Sequence, residues 1–156
     1  MSIELGDALP KGALVAADGS AIALPEWGAG APLLLYFYPK DDTSGCTREA
    51  QDFSALMPEF AALGVKLLGI SKDPPAKHQK FTAKYDLAVP LATDEDGALM
   101  EVLGVWVEKS MYGKKYMGIE RSTFLFDASG TLVRAWRKVK VPGHAAEVLA
   151  AAKALG

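Results

Sequence analysis

Cysteine is nearly absent from this sequence: Cys46 is the only one among 156 residues. A single cysteine excludes an internal disulfide and suits a reducing compartment, so we expect a cytoplasmic protein. Cys46 is then either an inert core residue or a reactive thiol. Histidine is also scarce, with only His78 and His144. Both fall in segments expected to be helical and surface-exposed, without a second ligand nearby, so we expect solvated side chains and no metal site.

An excess of charge of one sign and a long apolar run are also missing. The 17 basic and 19 acidic residues leave a net charge of −2, with no basic stripe for nucleic acid or acidic membranes. The longest apolar run, residues 33–38, is far shorter than the roughly 20 residues that span a bilayer. Residues 1–7 lack the positive start and apolar stretch of a secretory signal. We therefore expect neither nucleic acid nor membrane as a partner.

No repeat, low-complexity tract or linker divides the chain. Half of its residues are apolar, and a chain of this length can bury a full hydrophobic core. The sequence therefore predicts a single domain over residues 1–156.

The pattern of apolar residues predicts alternating strands and helices. Segments 13–17 and 21–24 flank Asp18-Gly19, a dipeptide suited to a hairpin turn. Segments 33–38 and 65–71 are apolar throughout, as in parallel strands buried on both faces. The remaining expected elements are helices near 44–63, 73–85, 96–103 and 142–155, a short strand near 89–92, a long loop over 106–120, and a hairpin of 122–126 with 131–136.

This order of elements predicts an α/β fold. A parallel β-α-β half joined to a β-β-α half is the thioredoxin fold, here with an N-terminal β-hairpin extension and a central mixed sheet flanked by helices. Such folds place ligand chemistry at the carboxyl ends of the parallel strands. Residues 39–46 follow one of these ends, so Cys46 lies where chemistry is expected.

The residues around Cys46 favour a reactive sulfur. We expect the Thr43 hydroxyl to cap the following helix, which makes Cys46 its third residue. Unpaired amides and the positive end of the helix dipole favour the thiolate, which is the nucleophilic form. Gly45 keeps the neighbouring amides accessible, and Pro39 fixes the turn without adding a donor.

The same segment contains the pattern P-x-x-x-T-x-x-C and resembles the peroxiredoxin family of AhpC/TSA type. The subgroup it resembles most is peroxiredoxin Q, also called bacterioferritin comigratory protein, and the likeness extends over nearly the whole chain. The residues that carry the resemblance are the segment from Tyr36 to Glu49, Gly69-Ile70-Ser71, Gly104-Val105-Trp106, and Gly118-Ile119-Glu120-Arg121-Ser122-Thr123-Phe124-Leu125.

The resemblance implies a role for each site residue. Cys46 would be the peroxidatic cysteine, which attacks a peroxide and becomes a sulfenic acid. Thr43 would hydrogen-bond the peroxide, and Pro39 would shield the pocket from water. Arg121 would stabilise the thiolate and the transition state. The resemblance implies no metal and no organic cofactor.

Two departures from the subgroup pattern affect this expectation. Ser44 stands where the subgroup usually has proline, a change that we expect activity to survive. Gln51 stands where many members have a resolving cysteine, and Met100 and the other candidate positions lack one too. The sulfenic acid must therefore be reduced by an external thiol, such as glutathione, glutaredoxin or thioredoxin.

Several alternatives stay open at this stage. The chain could be a peroxide sensor that passes oxidation to a partner protein, or a binding module with an unreactive cysteine. The subgroup resemblance suggests a monomer, with a dimer linked through Cys46 as a possible oxidation product. Arg48 and Glu49 could tune the charge of the pocket or merely pair at the surface. Trp106, Tyr112 and Tyr116 could border the pocket, mediate association or simply pack.

Overall fold

A seven-stranded mixed sheet forms the centre of the structure, a computed structural model that describes residues 3–155. Its strands follow the order β2-β1-β5-β4-β3-β8-β9, and β6 pairs only with β7 in a separate hairpin. The strands are β1 (Gly12–Ala16), β2 (Ala21–Leu24), β3 (Leu33–Phe37), β4 (Lys66–Ser71), β5 (Leu91–Thr93), β6 (Trp106–Met111), β7 (Lys114–Ile119), β8 (Ser122–Phe126) and β9 (Leu132–Trp136).

Strands β3 and β4 lie in the middle of the sheet and are parallel, as their continuous apolar runs predicted. All five residues of β3 are buried, because side chains on both faces of the strand are covered. The opening hairpin of β1 and β2 is also confirmed, and it joins the sheet through β5. The expected thioredoxin fold with an N-terminal hairpin extension is therefore the fold observed.

In the part of the chain that the structure describes, four α-helices cover the two faces of the sheet. On one face, side chains of α1 (Ser44–Ala62), α2 (Pro75–Tyr85) and α4 (His144–Lys153) share a core with Tyr36 and Tyr38 of the central strand region. On the other face, α3 (Ala98–Leu103) packs against the remaining side chains of β3 and β4. Within residues 3–155, no helix is both long enough and apolar enough to cross a bilayer.

The expectation of a long loop over 106–120 is wrong, because this segment forms the β6-β7 hairpin. Met111 pairs with Lys114, and the two residues between them, Tyr112 and Gly113, both have positive φ values, 52° and 79°. That conformation matches the tight turns that close two-residue hairpins. Most residues of both strands are exposed or half-buried, so the hairpin lacks the alternation of apolar and polar residues that signals a strand.

The sheet register brings two distant segments together at the carboxyl end of β3. Strand β8 runs antiparallel to β3, and Ser122 lies opposite Phe37. Arg121, which immediately precedes β8, is therefore placed beside the turn that leads from β3 to α1. Helix α1 begins at Ser44, so Arg121 is brought to the start of the helix that carries Cys46.

Candidate active site

Cys46 occupies the third position of α1, as the sequence predicted, and its residue surface is only 2% exposed. The first hydrogen bond of the helix runs from the Thr47 amide to the Thr43 carbonyl oxygen, at 2.8 Å. The amides of Ser44, Gly45 and Cys46 precede that bond and so have no acceptor within the helix. These amides and the helix dipole provide a positive electrostatic environment at the sulfur.

Arg121 contacts the sulfur directly. Its Nη2 atom donates a hydrogen bond to the Cys46 Sγ atom at 3.3 Å, and its Nη1 atom donates to Glu49 Oε1 at 2.6 Å. The guanidinium is thus held in one orientation by a carboxylate on the next turn of the helix. The structure therefore places a fixed positive charge beside the thiol.

The absence of a side chain at Gly45 permits this approach. A Cβ atom at that position would lie 3.2 Å from Arg121 Nη2 and 3.9 Å from its Cζ atom. The first of these distances is shorter than an ordinary van der Waals contact between carbon and nitrogen. Glycine therefore leaves space for the guanidinium above the first turn of the helix.

Thr43 is the residue that precedes α1, but its side chain does not cap the described helix, contrary to the sequence-based expectation. Its hydroxyl group instead donates a hydrogen bond to the Lys40 carbonyl oxygen at 2.9 Å. That bond uses the hydroxyl proton and leaves the oxygen lone pairs available as acceptors. Thr43 and Pro39 are both exposed, in the turn between β3 and α1.

Glu49 is the buried partner that holds Arg121 in place. Burial raises the pKa of Glu49 to about 7, although the charge of Arg121 and its hydrogen bond act in the opposite direction. The pKa of Arg121 is itself raised, because the charges of Glu49 and Cys46 outweigh the effect of burial. We take the ion pair as the state present above pH 7, since 2.6 Å is a charge-assisted distance. The second carboxylate oxygen of Glu49, Oε2, is buried without a hydrogen-bond partner among the described residues. Because a buried negative charge without a partner is unfavourable, the Glu49 carboxyl group holds its proton to a higher pH.

Glu49→Gln should remove a pH-dependent loss of stability. In the folded chain the pKa of Glu49 lies above its ordinary value of 4.5, so the folded state holds a proton that the unfolded state releases. The resulting stabilisation is complete below pH 4.5 and is lost as the pH rises through 7. We expect the free energy of unfolding of the wild type to fall relative to Glu49→Gln by about 1 to 3 kcal/mol over this range.

Urea unfolding of both proteins at pH 5, 7 and 8.5 measures this difference. All other titrating groups are shared, so their contributions largely cancel between the two proteins. A difference that stays constant with pH would show that Glu49 does not change its protonation state in this range.

The sequence left two roles open for Arg48 and Glu49, tuning the charge of the pocket or pairing at the surface. The structure shows that the two residues have different surroundings. Arg48 is exposed and pairs with Asp52 on the following turn, at 3.0 Å. Glu49 lies in the interior and contacts Arg121.

Of the aromatic residues of the hairpin, Tyr112 is 98% exposed at its tip, whereas Trp106 is half-buried and packs against the core of the α3 face.

The expectation that both histidines are solvated is wrong. His78 is fully buried, and its ring contacts Asp41 and the Ala92 carbonyl oxygen. His144 is also buried, 2.8 Å from the Thr123 hydroxyl. Burial lowers the pKa of His144, an effect that Arg121 reinforces and Glu147 opposes.

The spacing of residues along α2 predicts that the His78 side chain is buried. Phe81 and Tyr85, expected on the buried side of α2, follow His78 by three and seven residues, which puts all three on one face. The residue type suggested solvent exposure, whereas its position on the helix indicated burial. The contact of Glu49 with Arg121 had no such signal, since the two are 72 residues apart.

Comparison with known proteins agrees with this fold. The chain matches the AhpC/TSA family over residues 5–135, and it belongs to that family of peroxiredoxins. It is 56% identical to peroxiredoxin Bcp of Xanthomonas campestris over 126 residues, 81% of this chain and 79% of the relative. It is 46% identical to peroxiredoxin Bcp of Bacillus subtilis over 149 residues, 96% and 94% of the two chains.

Solved structures agree with the sequence relatives. A structure of Xanthomonas campestris peroxiredoxin Q superimposes with a TM-score of 0.86 and 52% identity, covering 91% of this chain and 89% of the other. A mutant of Xylella fastidiosa PrxQ gives a TM-score of 0.92 at 39% identity, with 99% and 98% covered. The bacterioferritin comigratory protein of Xanthomonas campestris, studied for its alkyl peroxide reduction, gives 0.87 at 49% identity, with 95% and 98% covered. Within the family, the chain falls in the peroxiredoxin Q subgroup, and its single cysteine means that it lacks a resolving cysteine.

Proposed function

We propose that this chain is a one-cysteine peroxidase that reduces hydrogen peroxide and organic hydroperoxides with electrons from an external thiol. The observation that carries the proposal is the contact between Arg121 Nη2 and Cys46 Sγ, at the start of a helix in a peroxiredoxin fold. In this proposal the 156 residues form one domain that acts as a monomer in the cytoplasm. Cys46, Thr43, Arg121 and Pro39 form its site.

The oxidative step is a displacement at oxygen. The Cys46 thiolate attacks one peroxide oxygen, the S–O bond forms and the O–O bond breaks. The departing oxygen leaves as water or an alcohol after taking up a proton, and Cys46 becomes a sulfenic acid. The sulfur loses two electrons and the peroxide gains them.

Each site residue has a task in this step. Because the Thr43 hydroxyl donates to Lys40, its oxygen can accept a hydrogen bond from the peroxide and orient it. The Arg121 guanidinium and the free amides of the first turn stabilise the negative charge that develops on the oxygens. Pro39 limits the access of water from the side of the turn.

The reductive step needs two external thiols. The first attacks the sulfenic sulfur, releases water and forms a mixed disulfide with Cys46. The second displaces the Cys46 thiolate and leaves with the first as a disulfide. Since Cys46 is only 2% exposed, a small thiol such as glutathione reaches it more readily than the cysteine of a large partner, and glutaredoxin then acts on the mixed disulfide.

Steady-state peroxide consumption tests the proposal. Wild type and Cys46→Ser are each supplied with glutathione, glutathione plus glutaredoxin, or thioredoxin with its reductase, and with hydrogen peroxide or an alkyl hydroperoxide. We expect continuous turnover by the wild type with a glutathione-based reductant, and none by Cys46→Ser. Oxidation once per chain followed by a stall with every reductant would instead identify a peroxide sensor. No oxidation of Cys46 at all would identify an unreactive core cysteine.

A further inference from the structure

A second cluster of buried polar groups lies beneath the turn that carries Thr43. Its centre is the pair of Asp41, in the turn, and His78, on α2. His78 Nδ1 lies 2.7 Å from Asp41 Oδ2, and both side chains are almost entirely buried. The Tyr38 hydroxyl donates to the other carboxylate oxygen, Oδ1, at 2.6 Å. The turn is thereby tied to the core of the protein.

The second ring nitrogen fixes the orientation of the imidazole. His78 Nε2 lies 3.1 Å from the carbonyl oxygen of Ala92 in β5. A carbonyl oxygen only accepts hydrogen bonds, so Nε2 carries a hydrogen and donates it. The remaining nitrogen, Nδ1, therefore faces Asp41. His78 thus bridges the backbone of β5 and the side chain of the turn.

Two further contacts hold the same turn. The Asp41 amide donates to Asp73 Oδ2 at 2.8 Å, and this oxygen also accepts the Ser71 hydroxyl at 2.8 Å. Asp42, next in the chain, has a positive φ of 59° and accepts hydrogen bonds from two residues of α2. These donors are the Tyr85 hydroxyl at 2.6 Å and the Lys84 Nζ atom at 2.8 Å.

We propose that His78 is a positioning residue that acts on the reaction through Asp41. The contact with His78 holds Asp41 and so fixes the backbone of the turn. This backbone includes the Lys40 carbonyl oxygen, which accepts the hydrogen bond from the Thr43 hydroxyl group. Thr43 is then held with its oxygen lone pairs free for the peroxide. This inference rests on the proposed function, and it adds a residue on a different helix that touches neither Cys46 nor the peroxide.

A matched pair of substitutions separates the two contacts of the ring. The amide nitrogen of asparagine is as many bonds from Cα as Nδ1, whereas that of glutamine matches Nε2. His78→Asn therefore keeps a hydrogen-bonding amide group next to Asp41 and loses the contact with Ala92. His78→Gln keeps the contact with Ala92 and loses the hydrogen-bonding group next to Asp41. A role in the turn predicts that only the loss of the Asp41 contact slows the reaction.

The experiment measures the second-order rate constant of Cys46 with hydrogen peroxide in a single turnover, after circular dichroism has shown that each variant is folded. We expect His78→Gln to react at least about tenfold more slowly than the wild type, since small displacements of positioning groups have effects of this size. His78→Asn should stay within about threefold of the wild type.

Each outcome decides between the claims. If the wild type reacts fast and the two folded variants have equal rate constants, the positioning role is overturned, whether both constants are high or low. The proposed function then stands. A wild type no faster than free cysteine removes the proposed function and this inference with it. If His78→Gln does not fold, Asp41→Ala decides: it removes the carboxylate that His78 contacts, and an unchanged rate overturns the inference.

Discussion

Arg121→Gln is expected to slow the reaction of Cys46 with hydrogen peroxide by about two to three orders of magnitude. The substitution removes the charge that lies 3.3 Å from Sγ and the donor that faces the developing charge on the peroxide. Removal of one fixed donor from a site of this kind has an effect of that size. Stopped-flow measurement of a single turnover gives the rate constant directly.

Two controls separate this chemical role from damage to the fold. Arg121→Lys keeps a charge, but it cannot bridge Glu49 and Cys46 with a planar pair of donors, so we expect an intermediate rate. Arg121→Gln with Glu49→Gln removes the unpaired buried carboxylate, so this double variant should regain stability while its reaction stays slow. A rate for Arg121→Gln within threefold of the wild type would contradict the role of the guanidinium.

Thr43→Val is expected to slow the same reaction by about a hundredfold. Valine has nearly the shape of threonine but has no oxygen to accept a hydrogen bond from the peroxide, and loss of one such contact has effects of this order. Thr43→Ser keeps the hydroxyl group and should retain most of the rate. Single-turnover kinetics of the two variants under the same conditions provide the comparison.

The stability of these variants gives a second check on Thr43. Its hydroxyl does not cap the described helix, so Thr43→Val should not show the loss of about 1 kcal/mol that is typical of a lost helix cap. Urea unfolding measures this. Equal rates for valine and serine at this position would mean that the Thr43 oxygen takes no part in peroxide binding.

Much of the scaffold could be predicted from periodicity and turn residues. Continuous apolar runs identified β3 and β4 as central parallel strands, and Asp18-Gly19 identified the first hairpin. The three- and four-residue spacing of apolar side chains identified α1 to within one residue of its end. These signals are local, so each segment carries its own information.

The errors arise where local signals and tertiary packing differ. The β6-β7 hairpin carries exposed side chains on most positions, so no alternating pattern marked it as strand. His78 and His144 are polar residues on buried helix faces, where hydrogen bonds to Asp41 and Thr123 compensate for the loss of water. Residue type alone predicted the opposite.

The site forms only because β3 and β8 pair in a particular register, and the sequence of neither strand alone predicts that register. Arg121 reaches Cys46 because β8 pairs with β3 so that Ser122 faces Phe37. The sequence suggested Arg121 only through the family resemblance. Nothing in the sequence linked Glu49 to Arg121, because helical spacing relates residues of one helix and does not identify a partner 72 residues away.

The most direct test of the account is mass spectrometry of the intact chain after exposure to one equivalent of hydrogen peroxide, with a 1,3-dicarbonyl reagent that traps sulfenic acids. We expect Cys46 of the folded protein to gain one reagent adduct, in which the carbon of the reagent replaces the sulfenic oxygen and water leaves, at least about a thousandfold faster than in the chain unfolded in urea, whereas Cys46→Ser gains none. Equal rates for the folded and unfolded chains would show that the arrangement around the sulfur does not activate it.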